Sequence, residues 1–116
     1  MIAFGTAVTK PAEYKRYAEP GIRLAAEPDS RVLTVREKGS IFQNYNRLLD
    51  QAAACEDLEG LVMVHQDAEI VDPGFCTKLR LALRDPHVGV VGCVGAIGVR
   101  SIAWWEGSVT WASFVH

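Results

Sequence analysis

Residues 60–75 read "GLVMVHQDAEIVDPGF". Apolar side chains from Leu61 to Val64 leave a glycine and give way at once to His65, Gln66, Asp67 and Glu69, with an Asp72-Pro73-Gly74 turn close behind. A short run that is apolar at every position, not at alternate ones, marks a strand covered on both faces, as in a parallel sheet flanked by helices. Ligands of such sheets collect at the carboxyl ends of the strands, which is where this polar group falls.

Working outward, the rest of the chain supplies matching units. "IAFGTAV" (2–8) reads as a first strand. Thr9 reads as the cap of a helix with Pro11 in its first turn, stopping near Pro20–Gly21. "RVLTV" (31–35) is a second, β-branched strand. Ser40 reads as the cap of a second helix, with Ile41, Phe42, Tyr45, Leu48, Leu49, Ala52 and Ala53 as its apolar face. A third helix is expected from Pro73 to Leu83 with Phe75, Leu79 and Leu83 inward, and "HVGVVGCVG" (87–95) reads as a fourth strand. Strands alternating with helices imply right-handed crossovers and a mostly parallel sheet. At 116 residues the chain is expected to be a single α/β domain, 1–116.

Composition narrows the function classes. A net charge of −2 without a Lys/Arg run gives no reason to expect nucleic acid. The segment 88–99 is glycine-rich and too short to span a membrane, and the first residues lack the basic leader of a signal peptide. Cys55, Cys76 and Cys93 form no CxxC pair and read as reduced thiols of a cytoplasmic protein. The terminal "SVTWASFVH" reads as an unpaired strand, whose open edge suggests a homodimer.

If strand geometry continues past Val64, His65, Asp67 and Glu69 project to one side, with the two carboxylates roughly 7 Å apart along the chain. Such a pair can share a hard divalent cation that takes its other oxygens from water and a substrate phosphate. The competing account is structural: Asp72 caps the following helix, and His65 is a hydrogen-bonded neutral imidazole.

The segments "SIFQNYNRLLDQA" and "LVMVHQDAEI", with the later "VGVVGCVGAIG" and "WWEG", resemble the family-2-like glycosyltransferases, in particular the branch typified by the streptomycin-biosynthesis StrF-type domain. The resemblance covers about residues 40–107. It implies a GT-A-like three-layer sandwich, reduced toward its C-terminus, that binds a nucleotide-diphosphate sugar with Mn²⁺ or Mg²⁺ and transfers the sugar to an unknown acceptor. Asp67 matches the family's metal-binding Asp, with Glu69 in support, and His65 stands where the family has another Asp. An imidazole is a hydrogen-bond partner or a softer ligand and not an anion, so metal affinity rests mainly on Asp67.

By position, Thr9, Glu37, Ser40, Asn46, His65 and Gln66 are the candidate nucleotide-sugar contacts, and Lys10 could meet a phosphate. Glu106 is the candidate general base, with Trp104 and Trp105 as a stacking platform. Each has a structural alternative: capping for Thr9 and Ser40, a solvated loop for Glu37, packing for the tryptophans. Two readings follow. One is a transferase, and the other is a non-catalytic nucleotide-sugar-binding or interaction module on the same scaffold.

Overall fold

The computed structural model describes residues 1–36 and 39–111. They form two compact units that divide after Leu81.

The first unit is α/β. Its strands β1 (Ile2–Ala7), β2 (Arg31–Val35) and β3 (Gly60–Met63) form a parallel sheet in the order β2-β1-β3. Central β1 is buried along its whole length. The register sets Phe4 beside Val32 and Val62 on one face, and Ala3 beside Leu61 on the other. Helices α1 (Pro11–Arg16), α2 (Ala18–Ala25) and α4 (Phe75–Ala82) cover the Phe4 face, where Ile2, Phe4, Val8, Tyr14, Ala18, Ile22, Val64 and Cys76 make one core. Phe4 and Phe75 lie with ring centroids 6.4 Å apart. Helix α3 (Ile41–Ala53) covers the other face, its Leu48 side chain lying where a Cβ on Gly5 would meet it at 3.4 Å. Helices lie on both faces of the sheet, and the first three strands form and pair in parallel, as expected.

Helix boundaries differ from expectation for identifiable reasons. Thr9 does not cap α1: Lys10 occupies that position and offers no side-chain bond to the first turn. The helix breaks at Tyr17 and resumes to Ala25, whereas the sequence suggested a stop at Pro20. Pro20 has no N–H and its ring crowds the carbonyl of Arg16, so the ladder ends there; in the first turn of a new helix the missing donor costs nothing. The face of α3 is rotated as well. Asn44, Leu48 and Ala52 are buried, while Ile41, Phe42 and Leu49 are exposed. Contact with the sheet through Leu48 selects the i, i+4, i+8 row, overriding the apolar pattern.

The expected fourth parallel strand at 87–95 does not form. In the second unit, β4 (Gly95–Ile97) pairs antiparallel with β5 (Val109–Trp111) around a 3₁₀ turn at Trp104–Glu106. Glycines at 89, 92 and 95 supply no side chains to pack, which weakens a strand interior. Gly98 has φ +73° and turns the chain where any Cβ would meet the Ser108 hydroxyl, which itself donates to the Ile97 carbonyl at 3.0 Å. The final strand is therefore paired within the chain on one edge, correcting the unpaired reading; 112–116 lie outside the described residues. Among the described residues no helix is long and apolar enough to cross a membrane.

At the amino ends of the parallel strands, charges make a latch. Arg80 of α4 donates from both Nη atoms to the Glu27 carboxylate, each at 2.7 Å, and from Nε to Glu59. Glu59 also accepts from the α-amino group of Met1 at 2.6 Å. Partly exposed ion pairs contribute little beside core residues such as Phe4, each worth roughly 1.5–3 kcal/mol when buried. The latch nevertheless sets the acid response. Hydrogen bonds from Arg80 and the Met1 amino group hold the Glu59 carboxyl down at about 2, from an ordinary 4.5. A depressed folded-state value means its contribution is complete above pH 4.5 and is lost as pH falls toward 2. We therefore expect wild-type melting temperature to fall more steeply between pH 5 and 2 than that of Arg80→Met, which should itself melt a few degrees lower at pH 7. Parallel pH curves for the two proteins would contradict this.

Candidate functional site

The carboxyl end of the sheet is organised by Gln66. Beyond Met63 the chain stays alongside β1 for one more residue, with Val64 N–H donating to the Gly5 carbonyl at 2.9 Å. It then turns: Ala68 N–H donates to the His65 carbonyl at 3.0 Å. Strand geometry therefore ends before the polar group, and the expected projection of His65, Asp67 and Glu69 from one face is replaced by a turn centred on Gln66 and Asp67.

Gln66 is buried within that turn. Its Oε1 accepts the backbone N–H groups of both Thr9 and Lys10 at 2.9 Å, and its Nε2 donates to Thr9 Oγ1 at 3.1 Å. One side chain thus joins the ends of β1 and β3 and satisfies two amides that the end of a strand leaves without sheet partners. Gln66 and Thr9, expected as ligand contacts, hold each other.

The turn also folds Asp67 back on His65. His65 Nδ1 lies 2.5 Å from Asp67 Oδ1, and both side chains remain more than half exposed, at 57% and 55%. The imidazole hydrogen bond, helped by the residue's own main chain and by Lys10, holds the Asp67 carboxyl below its ordinary value. It is an ionised, accessible carboxylate near neutrality. Lys10 bonds to Glu13 at 2.9 Å, and its own pKa is raised mainly by Glu13 with a contribution from Asp67.

Gly21 holds the turn from below. A Cβ there would come within 2.4 Å of the Ile70 nitrogen, so α2 approaches the 69–70 backbone as closely as it does only because residue 21 is glycine. Glu69 is exposed and is not gathered with His65 and Asp67; among the described residues no three His, Cys, Asp or Glu side chains converge as metal ligands. Asp72 does not cap α4, which begins at Phe75: its carboxylate accepts the Gly74 N–H at 2.9 Å in the turn before the helix and pairs with Lys78.

Ser40 begins α3 in a reciprocal cap: its Oγ accepts the Gln43 N–H at 3.2 Å while Gln43 Oε1 accepts the Ser40 N–H at 3.0 Å. Asn46 is exposed. The buried asparagine of this helix is Asn44, whose Oδ1 accepts from Arg47 at 3.4 Å. Its place in one row with Leu48 and Ala52 was the available signal. Glu37 lies outside the described residues. Glu106 and Trp105 are exposed in the 3₁₀ turn of the second unit, the tryptophan by 64%.

No known family model matches the chain, and no solved structure matches it. It is similar to the streptomycin biosynthesis protein StrF of Streptomyces griseus, with 39% identity over 107 residues. That match takes in 91% of this chain but only 37% of StrF, so the chain spans little more than a third of its relative's length.

The Gln66 bridge is directly testable. Gln66→Ala leaves the Thr9 and Lys10 amides without their acceptor, at a cost of about 1–3 kcal/mol. Chemical denaturation should show that loss with an unchanged m-value, whereas wild-type stability would contradict the role.

Proposed function

We propose that the first unit is a GT-A-like nucleotide-sugar-binding domain, and that the chain serves in a biosynthetic pathway as StrF is named for doing. The observation carrying the proposal is the position and state of Asp67: ionised, over half exposed, and set beyond the carboxyl ends of a parallel sheet.

A divalent cation fits this donor set in one form only. Among the described residues no three His, Cys, Asp or Glu side chains gather into an all-protein cage, so the reading rests on Asp67 as the principal anion. Mg²⁺ and Mn²⁺ are commonly held in that way, by one carboxylate with water and substrate phosphates making up the rest. When bound, the ion would neutralise charge on a diphosphate leaving group.

The chain's own groups would do the remainder. Asp67 would anchor the donor complex at the turn. Lys10 beside it adds positive charge for a phosphate. The N-terminus of α3 at Ser40 presents helix amides that favour an anion. Separately, Glu106 of the second unit is the carboxylate proposed as the general base for the acceptor hydroxyl.

One observation favours the non-catalytic alternative. Thr9 and Gln66 have structural hydrogen bonds at the strand ends and Ser40 at the start of α3, and these account for their residue types without a reaction.

The transferase and the nucleotide-sugar-binding module both predict ligand binding, and a pure interaction module does not. A nucleoside diphosphate (UDP, GDP or dTDP) with Mn²⁺ should raise the melting temperature, by the equivalent of about 2.7 kcal/mol at a hundredfold excess over Kd. Asp67→Ala should abolish the shift. No shift with any of the three would overturn the proposal. Donor-sugar turnover lost in Glu106→Gln separates the transferase from the binding module.

A further inference from the structure

We propose that His65 is a positioning residue for Asp67, and neither a metal ligand nor a contact to the nucleotide sugar: its Nδ1–H fixes Oδ1 of the carboxylate, so that Oδ2 is the oxygen that meets the cation. This rests on the nucleotide-sugar reading above.

The turn supplies the argument. Its closing bond, Ala68 N–H to the His65 carbonyl at 3.0 Å, brings residues 65 and 67 together on one side of residue 66. Gln66 between them is buried and bonded to the Thr9 and Lys10 amides, so the backbone carrying both partners is fixed from the sheet. Against that frame Nδ1 stands 2.5 Å from Oδ1, which requires a proton between them. Nδ1 carries it in the neutral tautomer that makes this bond and in the imidazolium alike. A nitrogen committed in this way has no lone pair for an ion, and Nε2, whose lone pair points across the ring and away from Asp67, is not directed at an ion held by that carboxylate.

Two consequences bear on recognition. A carboxylate with one oxygen already accepting a hydrogen bond is restrained to bind through the other, and monodentate coordination leaves Mg²⁺ or Mn²⁺ its waters and its places for phosphate oxygens. An outer-shell donor of this kind typically matters 10–100-fold in metal affinity. The same arrangement gives a reason for histidine where the resembling family has aspartate: a second carboxylate 2.5 Å from Oδ1 would repel it, whereas an N–H donor orients it.

The test is Mn²⁺ titration followed by EPR, with UDP, GDP or dTDP present, on wild type, His65→Ala and His65→Asn; metal-free urea melts confirm that all three fold. The asparagine Nδ2 occupies the place of the imidazole Nδ1. His65→Ala should bind Mn²⁺ about tenfold or more weakly, His65→Asn should stay close to wild type, and pulsed EPR of wild type should show no ¹⁴N coupling from a coordinated imidazole. Equal affinity in His65→Ala and wild type would overturn the inference alone, as would an Asn variant as weak as Ala, or a directly coupled imidazole nitrogen. Wild type that binds no Mn²⁺ with any of the nucleotides would overturn the functional reading and this inference with it.

Discussion

The constraint on which the site depends is the burial of one amide side chain. Two neighbouring strands of a parallel sheet end side by side, and each end leaves main-chain groups without sheet partners. Here Gln66 answers for two of them, accepting the amides of Thr9 and Lys10, and in doing so anchors the turn that follows β3 to the end of β1. The turn is short because its middle is pinned. Its two outer side chains, His65 and Asp67, have no course but outward and toward each other.

The surrounding fold serves this arrangement from several directions. The fully buried strand β1 gives Gln66 a rigid partner. Gly21 lets α2 close on the 69–70 backbone at a distance that no side chain would tolerate. Asp72 holds the turn that leads into α4, which returns to the amino ends of the strands and closes there through Arg80, Glu27 and Glu59. The unit is held electrostatically at one end and presents a carboxylate at the other. That division keeps the stabilising charges away from the exposed one.

Much of the α/β unit could be read in the residues because local signals agreed: apolar strands of parallel type, Ser40 as the cap of α3, and a turn at Asp72-Pro73-Gly74. What escaped reading depended on tertiary contact. Pro20 looked like a terminator, but whether a proline ends a helix or opens the next depends on where the chain can turn, and Tyr17 supplied that place. The face of α3 was set by Leu48 against Gly5, so Asn44 and not Asn46 went inside. The glycine-spaced valines looked like a strand by composition, yet have too few side chains to pack as one. At the site, the residue types were legible and their geometry was not. Alternation predicted three side chains on one face; a buried glutamine made a turn that brought two together and left Glu69 apart. The likeness to StrF extends over nearly the whole chain, while the chain matches only a part of StrF, so the site described here is best compared with one portion of that relative.

The claim that all this rests on Gln66 can be examined without any ligand. Amide hydrogen exchange of Thr9 and Lys10 measures whether the bonds from β1 to the glutamine exist in solution. Both residues lie beyond the end of β1, where an unattached amide would exchange at the rate of an open loop. The account predicts protection comparable with that of Val64, whose amide bonds to Gly5, and loss of that protection at Thr9 and Lys10 in Gln66→Ala while Val64 keeps its own. Loop-like exchange of both amides in the wild-type protein would contradict it.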